Sequence, residues 1–343
     1  MKRDATIGLL ALIVAILVPF AWPTRYVIEE MTLFFVWATV VTQWNLVFGV
    51  AGVFSLAQMA IFAVGGYATG MLGLYLGWSL WLAMFAGGLA AAIFSALVGV
   101  ACLRLRGAYV ALLTLAITQT MYLLIITDTE CFYMEGVTCR NFTGGTRGLT
   151  GYGDFGFHQL LPYKYTAFGD YFLALAVLCA ATIFSVFIIR SPLGLAFQAM
   201  RDNAVYAISR GIGRFKYQLL VFAASALFTG LAGAVYAGHF RVMGANTLYL
   251  SQTLFLLSMM IIGGVGQIWG PLLGATALMV VDEVLKEFVE WRLLGLGLML
   301  VLFAVLWPNG LYGGLEALGR RLRPRGSRQL SAIQPKDMAP AQK

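Results

Sequence analysis

Uncharged hydrogen-bonding side chains set inside long apolar stretches carry most of the chemistry this sequence offers. Gln43, Asn45, Ser55 and Gln58 fall in a stretch, 31–103, that holds no Asp, Glu, Lys or Arg. Thr114, Thr118, Gln119 and Thr120 fall in another, 107–127. Thr114 and Thr118 are four apart and share one helix face. Amides and hydroxyls in apolar surroundings must find partners, because leaving one unpaired costs free energy. Asn45, Ser55, Gln58, Thr114, Thr118 and Gln119 are therefore candidates for lining a solute pathway. They suit a neutral or zwitterionic solute. Proton- and ion-coupled carriers instead keep ionisable groups inside the membrane to bind the driving ion. No G-x-x-x-x-G-K-[ST] phosphate loop is present, so ATP hydrolysis is not expected of this chain. His158 and His239 are far apart and form no metal cluster. Gly144-Gly145-Thr146-Arg147-Gly148 is glycine-rich but lacks the strand–helix context of a nucleotide site. The chemistry points to translocation without catalysis or cofactor, powered by another chain or by a gradient.

Two glycine-interrupted regions lie at comparable places in the two halves. The first runs from Asn45 to Gln58, with Gly49 and Gly52, and is followed by Gly65-Gly66. The second is Gly263-Gly264-Val265-Gly266-Gln267-Ile268-Trp269-Gly270-Pro271. Broken apolar segments at matching positions point to a binding site or pathway. Broken backbone at membrane depth must be buried or line a wet cavity. The alternative is that these glycines only let helices approach closely.

The elements that would position these groups are helices in a bilayer. Of 343 residues, 60% are apolar and only 11% charged, against about 25% charged in soluble chains. A spanning helix needs roughly 20 apolar residues. The stretches free of Asp, Glu, Lys and Arg are 5–24, 31–103, 107–127, 171–189, 217–240, 242–281 and 293–315. Three spans fit the second and two the sixth, so the expectation is an all-α polytopic membrane protein of about ten transmembrane helices. Residues 1–319 then form one membrane domain, and 320–343 a basic, disordered tail. The first stretch ends in Pro19-Phe20-Ala21-Trp22-Pro23, without a small-x-small cleavage site, and reads as an uncleaved span.

Orientation follows from Lys and Arg. An even span count puts both termini on one side. With Lys2, Arg3, Arg104, Arg106, the 190–216 loop and the tail, that side collects sixteen of the 23 basic residues. It reads as the cytoplasm. The outer loop, about 128–168, carries Cys131 and Cys139. Outside a bacterial inner membrane these could pair or remain free thiols. The net charge of +8 is a topology signal, with no folded basic face for nucleic acid.

The loop from Ser191 to Gly213 is the most informative segment. Pro192 suits the first turn of a helix and Gly211 and Gly213 its end. Leu193, Phe197, Met200, Ala204 and Ile208 recur at three- and four-residue spacing, which predicts one amphipathic helix over about 192–210. It would rest on lipid or dock into a groove of an ATPase.

This segment resembles the coupling loop of LivM-type permeases of branched-chain amino-acid ABC importers, S-x-x-G-R-A-x-x-A-I-R-x-N-E-x-A-A-x-x-x-G-I. Gly194, Ala199, Arg201, Asp202, Asn203, Ala207 and Gly211 match the coupling motif. The resemblance extends through Leu103–Tyr109, Thr143–Leu149, Gly230–Ala237 and Trp269–Ala275. Leu195 stands where the family usually has Arg, Ala204 where it has Glu, and Gly52–Gln58 replaces G-Q-L-S-L-G-H. The resemblance implies a bacterial inner-membrane permease, multi-pass with both termini cytoplasmic. It also implies a homologous second permease, two cytoplasmic ATPases that bind ATP, and a periplasmic binding protein. Relatives of the same family resemble importers of urea and short amides. A stand-alone channel for a neutral solute is the alternative from another class.

Overall fold

The computed structural model describes residues 2–105, 107–135, 138–157, 166–286, 295, 297–298, 301–302 and 310–314. The apolar stretches fold as helices: α1 Lys2–Ala21, α2 Arg25–Asn45, α3 Gln58–Leu76, α4 Leu80–Cys102, α5 Ala108–Ile126 and α6 Thr166–Arg190. Two short helices follow, α7 Pro192–Asp202 and α8 Ala204–Ser209, and then α9 Arg214–Phe240, α10 Leu250–Gly263 and α11 Gly270–Leu285.

Among the described residues, six helices are long and apolar enough to cross a membrane: α2 with the turn after it, α3, α4, α5, α6 and α9. These six are among the ten that the charge-free stretches led us to expect. The two helices of the 242–281 stretch, where two spans were expected, have only 14 and 16 residues. At about 1.5 Å per residue such helices fall short of a hydrocarbon core of about 30 Å. The apolar part of α1, Thr6–Ala21, is also shorter than the six. Most of the expected last span, 293–315, and all of the tail lie outside the described residues.

α2 is the buried centre. Two of its threonines return their hydroxyls to the helix's own carbonyls, Thr32 to Ile28 and Thr39 to Phe35, so those two add no unpaired group to the apolar interior. Gln43 donates to Ala181 O (3.0 Å) and Ser185 Oγ (3.1 Å) of α6. α9 packs along α3 and α4, where a Cβ at Gly65 would overlap the Gly230 backbone. Close approach through small residues is how helices hold together where lipid removes the hydrophobic drive.

The loop between α5 and α6 adds strand to a chain expected to be all-α. β1 (Tyr133–Glu135) pairs antiparallel with β2 (Thr138–Arg140). β3 (Leu149–Thr150) pairs antiparallel with β4 (Val242–Met243). A disulfide joins Cys131 to Cys139, with Cα atoms 5.5 Å apart. The glycine-rich 144–148 stretch is a turn wrapped on Asp128, whose carboxylate accepts from Thr143 N and Thr143 Oγ1, both at 2.6 Å.

Candidate translocation pathway and docking surface

α2 does not end cleanly. Past Asn45 the chain widens into a π-helical turn, Leu46–Val50, a rare form often found at functional sites. It then runs without helix from Ala51 to Ala57 before α3 begins. Neighbouring side chains satisfy this unwound backbone. Thr114 Oγ1 accepts from Leu56 N (2.9 Å) and Thr118 Oγ1 donates to Leu56 O (3.2 Å), so the shared face of α5 is spent on one residue of the break. Trp44 Nε1 donates to Ser55 O (2.8 Å), and Ser55 Oγ accepts from Ala57 N (3.2 Å). Gln58 opens α3 and donates to Thr229 Oγ1 of α9 (2.6 Å).

Asn45 joins the two glycine-interrupted regions. Its Nδ2 donates to Gln267 O (2.9 Å) and its Oδ1 accepts from Gly266 N (2.7 Å). Of the six pathway candidates, five thus have hydrogen-bond partners that hold the break. Gln119 differs: its Nε2 is buried without a partner, and it lies one residue beyond Thr118. Thr42 Oγ1 and Gln43 Oε1 are also unpartnered and buried on α2.

The predicted single helix over 192–210 is two. Asn203 leaves helical geometry (φ −152°, ψ 94°) and caps α8 by accepting from Tyr206 N at 3.0 Å. A short polar side chain that can bond to backbone two or three residues on favours such a cap over a helix interior. The kink separates positions that periodicity had placed together. Phe197 and Met200 are buried against Leu46, Val50 and Ala51 of the break, whereas Ile208 is exposed.

The seven motif residues divide by role. Gly194 abuts the end of α6, where a Cβ would overlap the Ile189 carbonyl. Ala207 is buried, and Gly211 (φ 86°) turns the chain after α8. Arg201 points back into the membrane domain, with Nη1 2.6 Å from Gly49 O. Ala199 is half-buried and Asp202 exposed. The outward face is instead apolar: Leu195 is 68% exposed, Val205 80% and Tyr206 56%. Arg210 lies over the Tyr206 ring, 5.2 Å from its centroid. The motif did not point to these side chains. Their signal was their position, off the stripe that buries Phe197 and Met200.

At the opposite end of α2, Lys286 bridges Glu30 and Glu283, each at 2.7 Å. Burial pulls its ammonium down, but hydrogen bonds to Glu283 and Glu30 outweigh this and hold its pKa above the usual range. Burial pushes up the phenol of Tyr152, which donates to Ala237 O at 2.8 Å.

A family model for the permease component of branched-chain amino acid transport systems matches residues 26–306. The chain belongs to this family. It is a transport subunit, not a member of an enzyme family, and the match spans both breaks and α7–α8. It is 28% identical over 326 residues to the high-affinity branched-chain amino acid transport system permease protein LivM of Escherichia coli strain K12, covering 88% of this chain and 74% of that one. Identity to the LivM of Salmonella typhimurium strain LT2 is 27% with the same coverage. No solved structure matches.

Proposed function

We propose that this permease carries branched-chain or other small amino acids across the bacterial inner membrane as part of an ATP-driven importer. A homologous second permease completes the pathway, two cytoplasmic ATPases dock on α7–α8, and a periplasmic binding protein delivers the solute. The observation that carries this reading is the paired surface of α7–α8. One side buries Phe197 and Met200 on the break in α2, and the other leaves Leu195, Val205 and Tyr206 uncovered. A helix pair that only rested on lipid would have no need to grip the broken span. Hydrogen-bonding groups of the break and α5 line the pathway, with Gln119 offering the unused amide donor. An unpaired ion in such surroundings would cost several kcal/mol, which favours a zwitterionic solute.

Ten spans with cytoplasmic termini complete the reading. Its support is that the α7–α8 pair and the Lys286 cluster sit at opposite ends of α2. A single Cys near Asp154 should react with an impermeant maleimide from outside, and one near Ser209 should not; the reverse pattern rejects the orientation. Function is tested by co-expressing the permeases with their ATPases and measuring leucine uptake. Ala199→Pro, worth about 3 kcal/mol of helix stability, should abolish uptake. ATP-independent flux through that variant would reject an importer in favour of a channel.

A further inference from the structure

Arg201 occupies a slot built from three backbone positions on two separated segments. Its Nη1 donates to Gly49 O inside the π-helical turn, at 2.6 Å. Its stem lies on Gly52, where an added Cβ would come within 2.8 Å of Cγ and 3.1 Å of Cα. Its guanidinium passes Gly266, where an added Cβ would come within 2.9 Å of Nη1. Gly52 and Gly266 both have positive φ, 70° and 80°, a conformation that side chains other than glycine rarely adopt. Asn45 closes the ring by binding Gly266 N and Gln267 O. One residue at the end of α7 is therefore in contact with both broken segments, and both have the glycines that its passage requires.

We infer that Arg201 is a positioning residue that joins the docking helices to the two breaks, so that movement of α7 is passed to the π-helical turn and to the 264–269 loop together. This rests on the docking reading above and gives Arg201 an inward role, not a contact with the ATPase. The apolar grip of Phe197 and Met200 is non-directional and tolerates sliding. A guanidinium bonded to one backbone carbonyl has a defined direction. Asp202 Oδ1, 3.1 Å from Arg201 Nε, orients the other side of the group.

The test uses the whole assembly in proteoliposomes and reads ATP hydrolysed per leucine imported. Arg201→Met keeps the stem on Gly52 and deletes the guanidinium. The ATPases should stay bound while the ratio rises by about tenfold, within the usual range of coupling between sites. Arg201→Lys, which can reach one carbonyl, should fall between Met and the wild type. An unchanged ratio in Arg201→Met overturns the inference. So does release of the ATPases by that variant, which would make Arg201 an ATPase contact and leave the importer reading standing. Should wild-type flux itself prove independent of ATP, the importer reading fails first. If Arg201→Met does not accumulate in the membrane, Arg201→Lys decides: a raised ratio supports the inference and a wild-type ratio overturns it.

Discussion

The two glycine-interrupted regions look alike in sequence and are built differently. In the first, 45–58, the backbone leaves the helix, and the side chains of Trp44, Ser55, Thr114, Thr118 and Arg201 take up its free groups. In the second, the chain turns sharply between α10 and α11, and the helices meet backbone to backbone: a Cβ at Gly274 would overlap the Met259 carbonyl and crowd Gly263 N at 2.7 Å. Glycine serves unwinding in one place and close packing in the other. A break held by side chains can be rearranged by exchanging hydrogen bonds. A crossing held by the absence of side chains can only be kept or lost.

The sharpest way to break the comparison is to add volume to the helix crossing that flanks the second region. Gly274→Val should cost about 3 kcal/mol or more, since backbone cannot move aside as a side chain can. The variant should accumulate poorly and unfold earlier in detergent; near-wild-type stability would show that the crossing is not tight. In the first region the damage should come from lost partners instead. Thr114→Val keeps the shape but leaves the part-buried Leu56 N without its acceptor, at a cost of about 2 kcal/mol. Unfolding measurements should show that loss, and leucine uptake should fall with it.

Gln58→Leu should be milder. Hydrogen bonds between membrane helices average about 0.6 kcal/mol, and Thr229 Oγ1 keeps its bond to Ser225 O. A small drop in stability with uptake preserved would assign Gln58 to the scaffold, whereas abolished uptake in a stable protein would return it to the pathway. The control is Thr276→Val on α11, where an exposed hydroxyl donates only to Leu272 O of its own helix. It should shift stability by less than about 0.5 kcal/mol.

The helical, membrane-embedded character was legible in the spacing of charges, because a bilayer excludes unpaired ions over a fixed thickness. Pro192, Gly211, Gly213 and the apolar stripe likewise marked the helical segment that follows α6. Its kink at Asn203 was not legible: periodicity reports which residues are apolar, while the kink depends on a side-chain oxygen reaching Tyr206 N. The short helices of 242–281 were not legible for a related reason, since forty uncharged residues do not reveal that the chain spends some of them on β4, a 3₁₀ turn at Ala245–Leu248 and a glycine loop.

What the sequence by itself determined is the class of polar group available inside the membrane: amides, hydroxyls and broken backbone. Side-chain types follow directly from composition, and the cost of burying them is the same wherever the chain goes. Only the tertiary structure decided what each group does. Asn45 is 221 residues from Gly266 and Arg201 is 152 from Gly49, so no local rule connects them. Five of the six pathway candidates are hydrogen-bonded at the break because buried polar groups must be paired, and most of their partners come from distant segments that only folding brings within 3 Å or so. Arg201, one of the residues that match the coupling motif, reaches Gly49 O past glycines on two other segments that leave it room.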